Sequence, residues 1–90
     1  MKFAARVEVH LRPGIADPEG ATIERALPAL GFDDVRAVRA GRSFRFEVDA
    51  LDGATARRRA EDLARRLLAN PVIEDCEVEL RALAPADGQS

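Results

Sequence analysis

Residues 2 to 12 alternate between apolar and polar side chains, the period of two that buries one face of a β-strand. Phe3, Ala5, Val7, Val9 and Leu11 fall on one face, and Lys2, Arg6, Glu8, His10 and Arg12 on the other. Arg12-Pro13-Gly14 ends this strand, because proline has no N–H for a ladder and glycine frees the backbone. The period then changes. Asp17-Pro18-Glu19 reads as a helix start, with Asp17 as N-cap and Pro18 in the first helical position. Ile23, Ala26, Leu27 and Leu30 form an apolar stripe at spacings of three and four, and Gly31 is suited to a left-handed C-cap with Phe32 packing back. Pro28 removes one helical hydrogen bond, so a kink or break is expected near Glu24.

Beyond Asp33-Asp34, residues 35–40 read as a second strand. A third follows, with Phe44, Phe46 and Val48 inward and Arg45, Glu47 and Asp49 outward. Gly41-Arg42 is the expected turn joining the two as a hairpin. A second helix is predicted over 54–69, with Ala56, Ala60, Leu63, Ala64, Leu67 and Leu68 as its apolar stripe. It should stop at Asn70-Pro71, since the residue before proline avoids helical angles. Cys76, Val78 and Leu80 alternate with Glu77, Glu79 and Arg81 in a fourth strand. The order βαββαβ predicts an α+β two-layer sandwich of ferredoxin-like order, its four-stranded antiparallel sheet carrying two helices on one face. Residues 1–83 would form this single domain, followed by a small, polar, disordered tail over 84–90.

Composition narrows the chemistry. Fourteen Lys and Arg against sixteen Asp and Glu leave a net charge of −2 over 90 residues, which argues against binding nucleic acid through its phosphates. No apolar run approaches the roughly 18 residues that a membrane span needs. The first residues lack the apolar core of a secretory signal, and one cysteine permits no internal disulfide, so a cytoplasmic location is expected. Any triad would have to use the one histidine, His10, and the glycines lack phosphate-loop spacing. His10 reads as an exposed strand residue, and Cys76 as a buried, inert thiol. Arg57-Arg58-Arg59 reads as a solvated helix face paired through Arg57–Glu61 and Arg58–Asp62. The acidic run Glu74, Asp75, Glu77, Glu79 suggests Mg²⁺ at first sight, but alternation places its last three members on a wet strand face. No catalytic, cofactor or metal site is therefore assigned. The sheet's polar face, with Arg6, Glu8, Arg45, Glu47, Glu77 and Glu79, suits either solvent or a partner of complementary charge.

Four stretches in register resemble the PurS family. They are Leu67 to Asp75 (LLANPVIED), Val7 to Gly14 with Asp17 to Gly20 behind it, Leu30-Gly31-Phe32 with Val35, and Val38 to Arg42 (VRAGR). The likeness covers nearly all of residues 2–80, departing at Pro28 and in the tail. It implies the non-catalytic small subunit of phosphoribosylformylglycinamidine synthase, an ATP-dependent, glutamine-hydrolysing ligase of purine synthesis. Such a subunit bridges a glutaminase (PurQ) and a synthetase (PurL), assists ammonia transfer between them, and forms a homodimer or a dimer of dimers. It binds no cofactor itself, while the assembled enzyme uses ATP, Mg²⁺ and glutamine. Arg39, Gly41 and Arg42 at one turn and Asn70 and Pro71 at another are the expected partner contacts. A stand-alone ferredoxin-like regulatory or ligand-binding domain is the alternative, since this architecture carries many functions.

Overall fold

The structure, a computed structural model, describes residues 1–84. The first alternating segment is β1 (Lys2–Leu11), the centre of a three-stranded sheet ordered β2-β1-β3. β2 (Gly41–Asp49) and β3 (Glu74–Ala82) both run antiparallel to β1, one on each side. Val7 lies opposite Phe44 and Val78, and Ala5 opposite Phe46 and Leu80, so the apolar residues of all three strands share one face.

One helix closes that face. α2 (Gly53–Leu63) begins where the Asp52 carboxylate accepts the Thr55 N–H at 2.8 Å, one residue earlier than its predicted start. Ala56, Ala60 and Ala64 are fully buried, and their small side chains let the helix lie close over all three strands. Val7 and Val9 beneath them are also fully buried, with Phe44, Phe46, Cys76 and Val78 packed around. Each such valine contributes about 1.5–3 kcal/mol of apolar transfer. The helix continues through a π turn over Ala64–Leu68, closed by the Ala69 N–H on the Ala64 carbonyl at 2.9 Å. The extra residue turns Leu68 toward the core and leaves Leu67, predicted inside, exposed.

The predicted four-stranded sheet is wrong by one strand: residues 35–40 are not β. The backbone donors that a ladder would need are taken by two carboxylates of α1 (Pro18–Ala26) and its cap. Glu24 accepts the N–H groups of Ala37 and Val38, both at 3.1 Å, and Asp17 accepts that of Ala40 at 2.8 Å. Ala37 sits at φ 62°, a left-handed conformation that no strand tolerates. Gly41 and Arg42 consequently form no hairpin turn; they open β2 itself, opposite His10 and Val9.

Nor do both helices cover the sheet. α1 packs against the segment it caps, and Gly20 is its one buried residue. A Cβ at Gly20 would lie 2.5 Å from the Val38 carbonyl oxygen, so only glycine allows this approach. Pro28 breaks the helix at Leu27 rather than near Glu24, because the orphaned Glu24 carbonyl is taken by the Leu27 N–H at 3.2 Å. A 3₁₀ turn (Pro28–Leu30) follows and ends at the expected left-handed Gly31. Ile23, Leu30, Phe32 and Val35 remain exposed on this arm. The expected tail, from residue 85 onward, lies outside the described residues.

Candidate functional site

The five residues singled out in the sequence gather at one end of the sheet, where β1 finishes and β2 and β3 begin. The register explains it. Gly41 and Arg42 stand opposite the last turn-ward residues of β1, and Glu74 stands opposite Leu11. Arg42 and Glu74 both fall on the helix-covered face, below the π turn, with their side chains directed across the end of β1.

Glu74 joins these pieces. Its carboxylate accepts from the Arg42 guanidinium at 3.1 and 3.2 Å and from the Asn70 N–H at 2.7 Å, with only 14% of its side chain exposed. Arg42 also donates to the Leu68 carbonyl at 3.1 Å and lies 5.6 Å from the centre of the Phe44 ring. Asn70 closes the corner: its side-chain oxygen accepts the Val72 N–H, and its carbonyl accepts those of Ile73 and Glu74. The Pro71 carbonyl takes the Arg12 guanidinium at 2.7 Å. Arg39 stands apart from this network. It donates to the Ile15 carbonyl at 3.3 Å and lies 3.9 Å from Asp17, tying the α1 arm to the start of β2. At Gly41 a Cβ would fall 2.8 Å from the Val9 carbonyl oxygen, so glycine there serves the strand pairing itself.

Sequence reading missed the carboxylates that organise both regions. Glu74 stands in the acidic run, and Glu24 enters the sequence reading only as the place of an expected kink. Asp17 was recognised as an N-cap, but not for its second oxygen on Ala40. Hydrogen bonds from the backbone N–H groups of Gly20 and Ala40, with the nearby Arg39 charge, hold its carboxyl below the usual carboxylate value although burial opposes them. No local pattern announces such bonds, because donor and acceptor lie 23 residues apart.

The opposite, uncovered face of the sheet carries the charges expected of it. Arg6 pairs with Glu79 and Glu8, His10 lies 3.9 Å from Glu77, and Arg12 lies 3.6 Å from Asp75. Asp75, Glu77 and Glu79 of the acidic run thus face Arg12, His10 and Arg6, while Glu74 meets Arg42 on the covered face. Among the described residues, no group of three or more His, Cys, Asp or Glu is placed to hold a metal. Cys76 lies on the covered face as predicted but is half-buried. The expected helix pairs of the arginine run do not form: Arg57 donates to the Val78 carbonyl and Arg58 to the Thr55 hydroxyl, while Asp62 takes Arg65 and Arg66. No helix of the described residues is long and apolar enough to cross a membrane.

Known proteins share this arrangement along nearly the whole chain. The family model for PurS, described as phosphoribosylformylglycinamidine (FGAM) synthase, matches residues 4–82. The phosphoribosylformylglycinamidine synthase subunit PurS of Synechocystis is 38% identical over 84 residues, covering 93% of this chain and 84% of that protein. The crystal structure of PurS from Methanocaldococcus jannaschii, one of the subunits of formylglycinamide ribonucleotide amidotransferase, superposes with a TM-score of 0.81 at 33% identity. That match covers 91% of this chain and 99% of the other. A chain in the structure of PurLQS from Thermotoga maritima gives a TM-score of 0.82 at 34% identity, covering 89% and 98%. On a match that runs from the first strand to the last, the chain belongs to the PurS family.

Proposed function

We propose that this chain is the non-catalytic small subunit of phosphoribosylformylglycinamidine synthase, bridging the glutaminase and synthetase subunits during purine synthesis. The observation that carries the reading is its likeness, over nine-tenths of its length, to a chain of the three-protein PurLQS assembly. The geometry is that of a part made for contact. A single helix covers one sheet face, the other face is charged, and the α1 arm holds apolar side chains away from the core. In solution the subunit would be a homodimer or a dimer of dimers, acting in the cytoplasm as one domain over residues 1–83. ATP, Mg²⁺ and glutamine would be handled by the neighbouring subunits. Arg39, Gly41, Arg42, Asn70 and Pro71 are proposed to frame the contact surface, with Arg42 and Asn70 locking the corner that meets a partner.

Enclosing the route between subunits would keep ammonia from escaping into water or being protonated there, and a bridge supports this by holding the two active sites in register. Co-purification tests the reading. Tagged chain should retain both the glutaminase and the synthetase when glutamine, Mg²⁺ and ADP are present. Retention of neither would refute it.

A further inference from the structure

Charges on the open sheet face are matched at its two ends and unmatched in its middle. Lys2 meets Asp49 at one end, and His10 and Arg12 meet Glu77 and Asp75 at the other. Between these ends Arg45 and Glu47 on β2 and Arg81 on β3 are exposed and form no ion pair among the described residues. The register sets them in two adjacent rows. Ala4 has Glu47 on one side and Arg81 on the other, while Arg6, one row along, has Arg45 and Glu79. Along the strands the signs alternate oppositely, acid then base on β2 and base then acid on β3. Ala4 carries only a methyl group, which leaves a shallow hollow walled by these longer side chains.

Such a pattern is complementary to itself, as a two-fold interface requires. From this we infer that a second copy of the chain stacks on the open face with its strands antiparallel, about a two-fold axis crossing β1 at the level of Ala5. That operation lays Glu47 over Arg45 of the second copy and Arg81 over its Glu79, each pair occurring twice by symmetry. Arg6 falls on Ala4 of the second copy, where the hollow has room for it, and Lys2 comes over Glu8 farther out. All three unmatched side chains gain a partner, and no like charges are opposed. Two aligned sheets pack at about 30° to each other, so the pairs nearest the axis keep the best register. A parallel stack about an axis along β1 would also set Glu47 on Arg81, but it opposes Arg6 to Arg6 and Glu8 to Glu8. The inference rests on the proposed self-association and names its surface. The exposed apolar side chains of the α1 arm belong to no strand of this face.

Native mass by light scattering at micromolar concentration reads the stack, with circular dichroism confirming that each variant folds. Glu47→Arg and Arg45→Glu each oppose like charges across the axis, and a covered charge without a partner is costly. Each should halve the native mass, although the two substitutions move the net charge in opposite directions. The double variant Glu47→Arg/Arg45→Glu exchanges the charges within the pair and should restore the wild-type mass. In the parallel stack the same exchange would oppose two bases in one row and two acids in the next, and nothing would be restored. Wild-type mass in both single variants, or no recovery in the double variant, overturns the inference and leaves the bridging role intact. Loss of mass confined to Phe32→Ser, on the exposed α1 arm, overturns it in favour of self-association there. A monomeric wild-type chain removes the proposed self-association, and this surface with it.

Discussion

Two carboxylates, Glu24 on α1 and Asp17 at its N-cap, decide what residues 35–40 become. Asp17 accepts from Gly20 and Ala40 with separate oxygens, an arrangement that an amide cannot copy because its NH₂ would face one of the two N–H donors. Its carboxyl titrates below the usual value, so the folded state binds that proton more weakly than the unfolded chain does. The contribution is complete above the unfolded value near 3.8 and disappears as pH falls through the lower folded value. Asp52, held down by the Thr55 N–H and hydroxyl, acts in the same direction. Thermal midpoints measured from neutral pH down to about pH 2 should therefore fall steeply below about pH 4. Asp17→Asn should start lower at neutral pH and fall less on acidification. Gly20 gives a second expectation. Alanine is the better helix former by about 1 kcal/mol, yet Gly20→Ala should destabilise the chain by about 1–3 kcal/mol in urea titrations. The added methyl would meet a backbone carbonyl that cannot turn aside, at 2.5 Å.

At the scale of elements, periodicity was a faithful guide wherever burial alone sets structure. β1, β2 and β3 follow their alternation, and α2 follows its alanines, because a solvent-free face imposes its own period. Legibility failed where side chains answer backbone groups far away in sequence. Residues 35–40 have strand-like composition, but Glu24 and Asp17 occupy the donors, and the hairpin disappears with the strand. Leu67 was misplaced for a related reason, since a π turn adds one residue that no stripe reveals. The same limit applies to the candidate corner. Asn70 and Pro71 could be read as a helix stop, whereas the Glu74 carboxylate that braces them could not. The close fit of α2 is testable here. Ala60 is fully buried between helix and sheet, so Ala60→Leu should force the layers apart and lower stability by about 1–3 kcal/mol or more on chemical denaturation.

The whole molecule is longer and thinner than one self-sufficient domain. Its radius of gyration is 17.3 Å, against about 12 Å for a compact chain of this size. Its extents of 51 × 33 × 15 Å leave room for one helix over one sheet, with the α1 arm carrying exposed Ile23, Leu30, Phe32 and Val35. Such a shape leaves apolar surface for other chains to cover. Light scattering at micromolar concentration should give a mass of two or four chains, and a clean monomer would speak against the proposed self-association. In the proposed assembly this chain supplies contact and not chemistry. The decisive measurement is to reconstitute the synthetase and glutaminase with and without it and to compare glutamine-driven with ammonia-driven product formation. Omission should abolish the glutamine-driven reaction and spare the ammonia-driven one. Equal loss of both, or loss of neither, would contradict it.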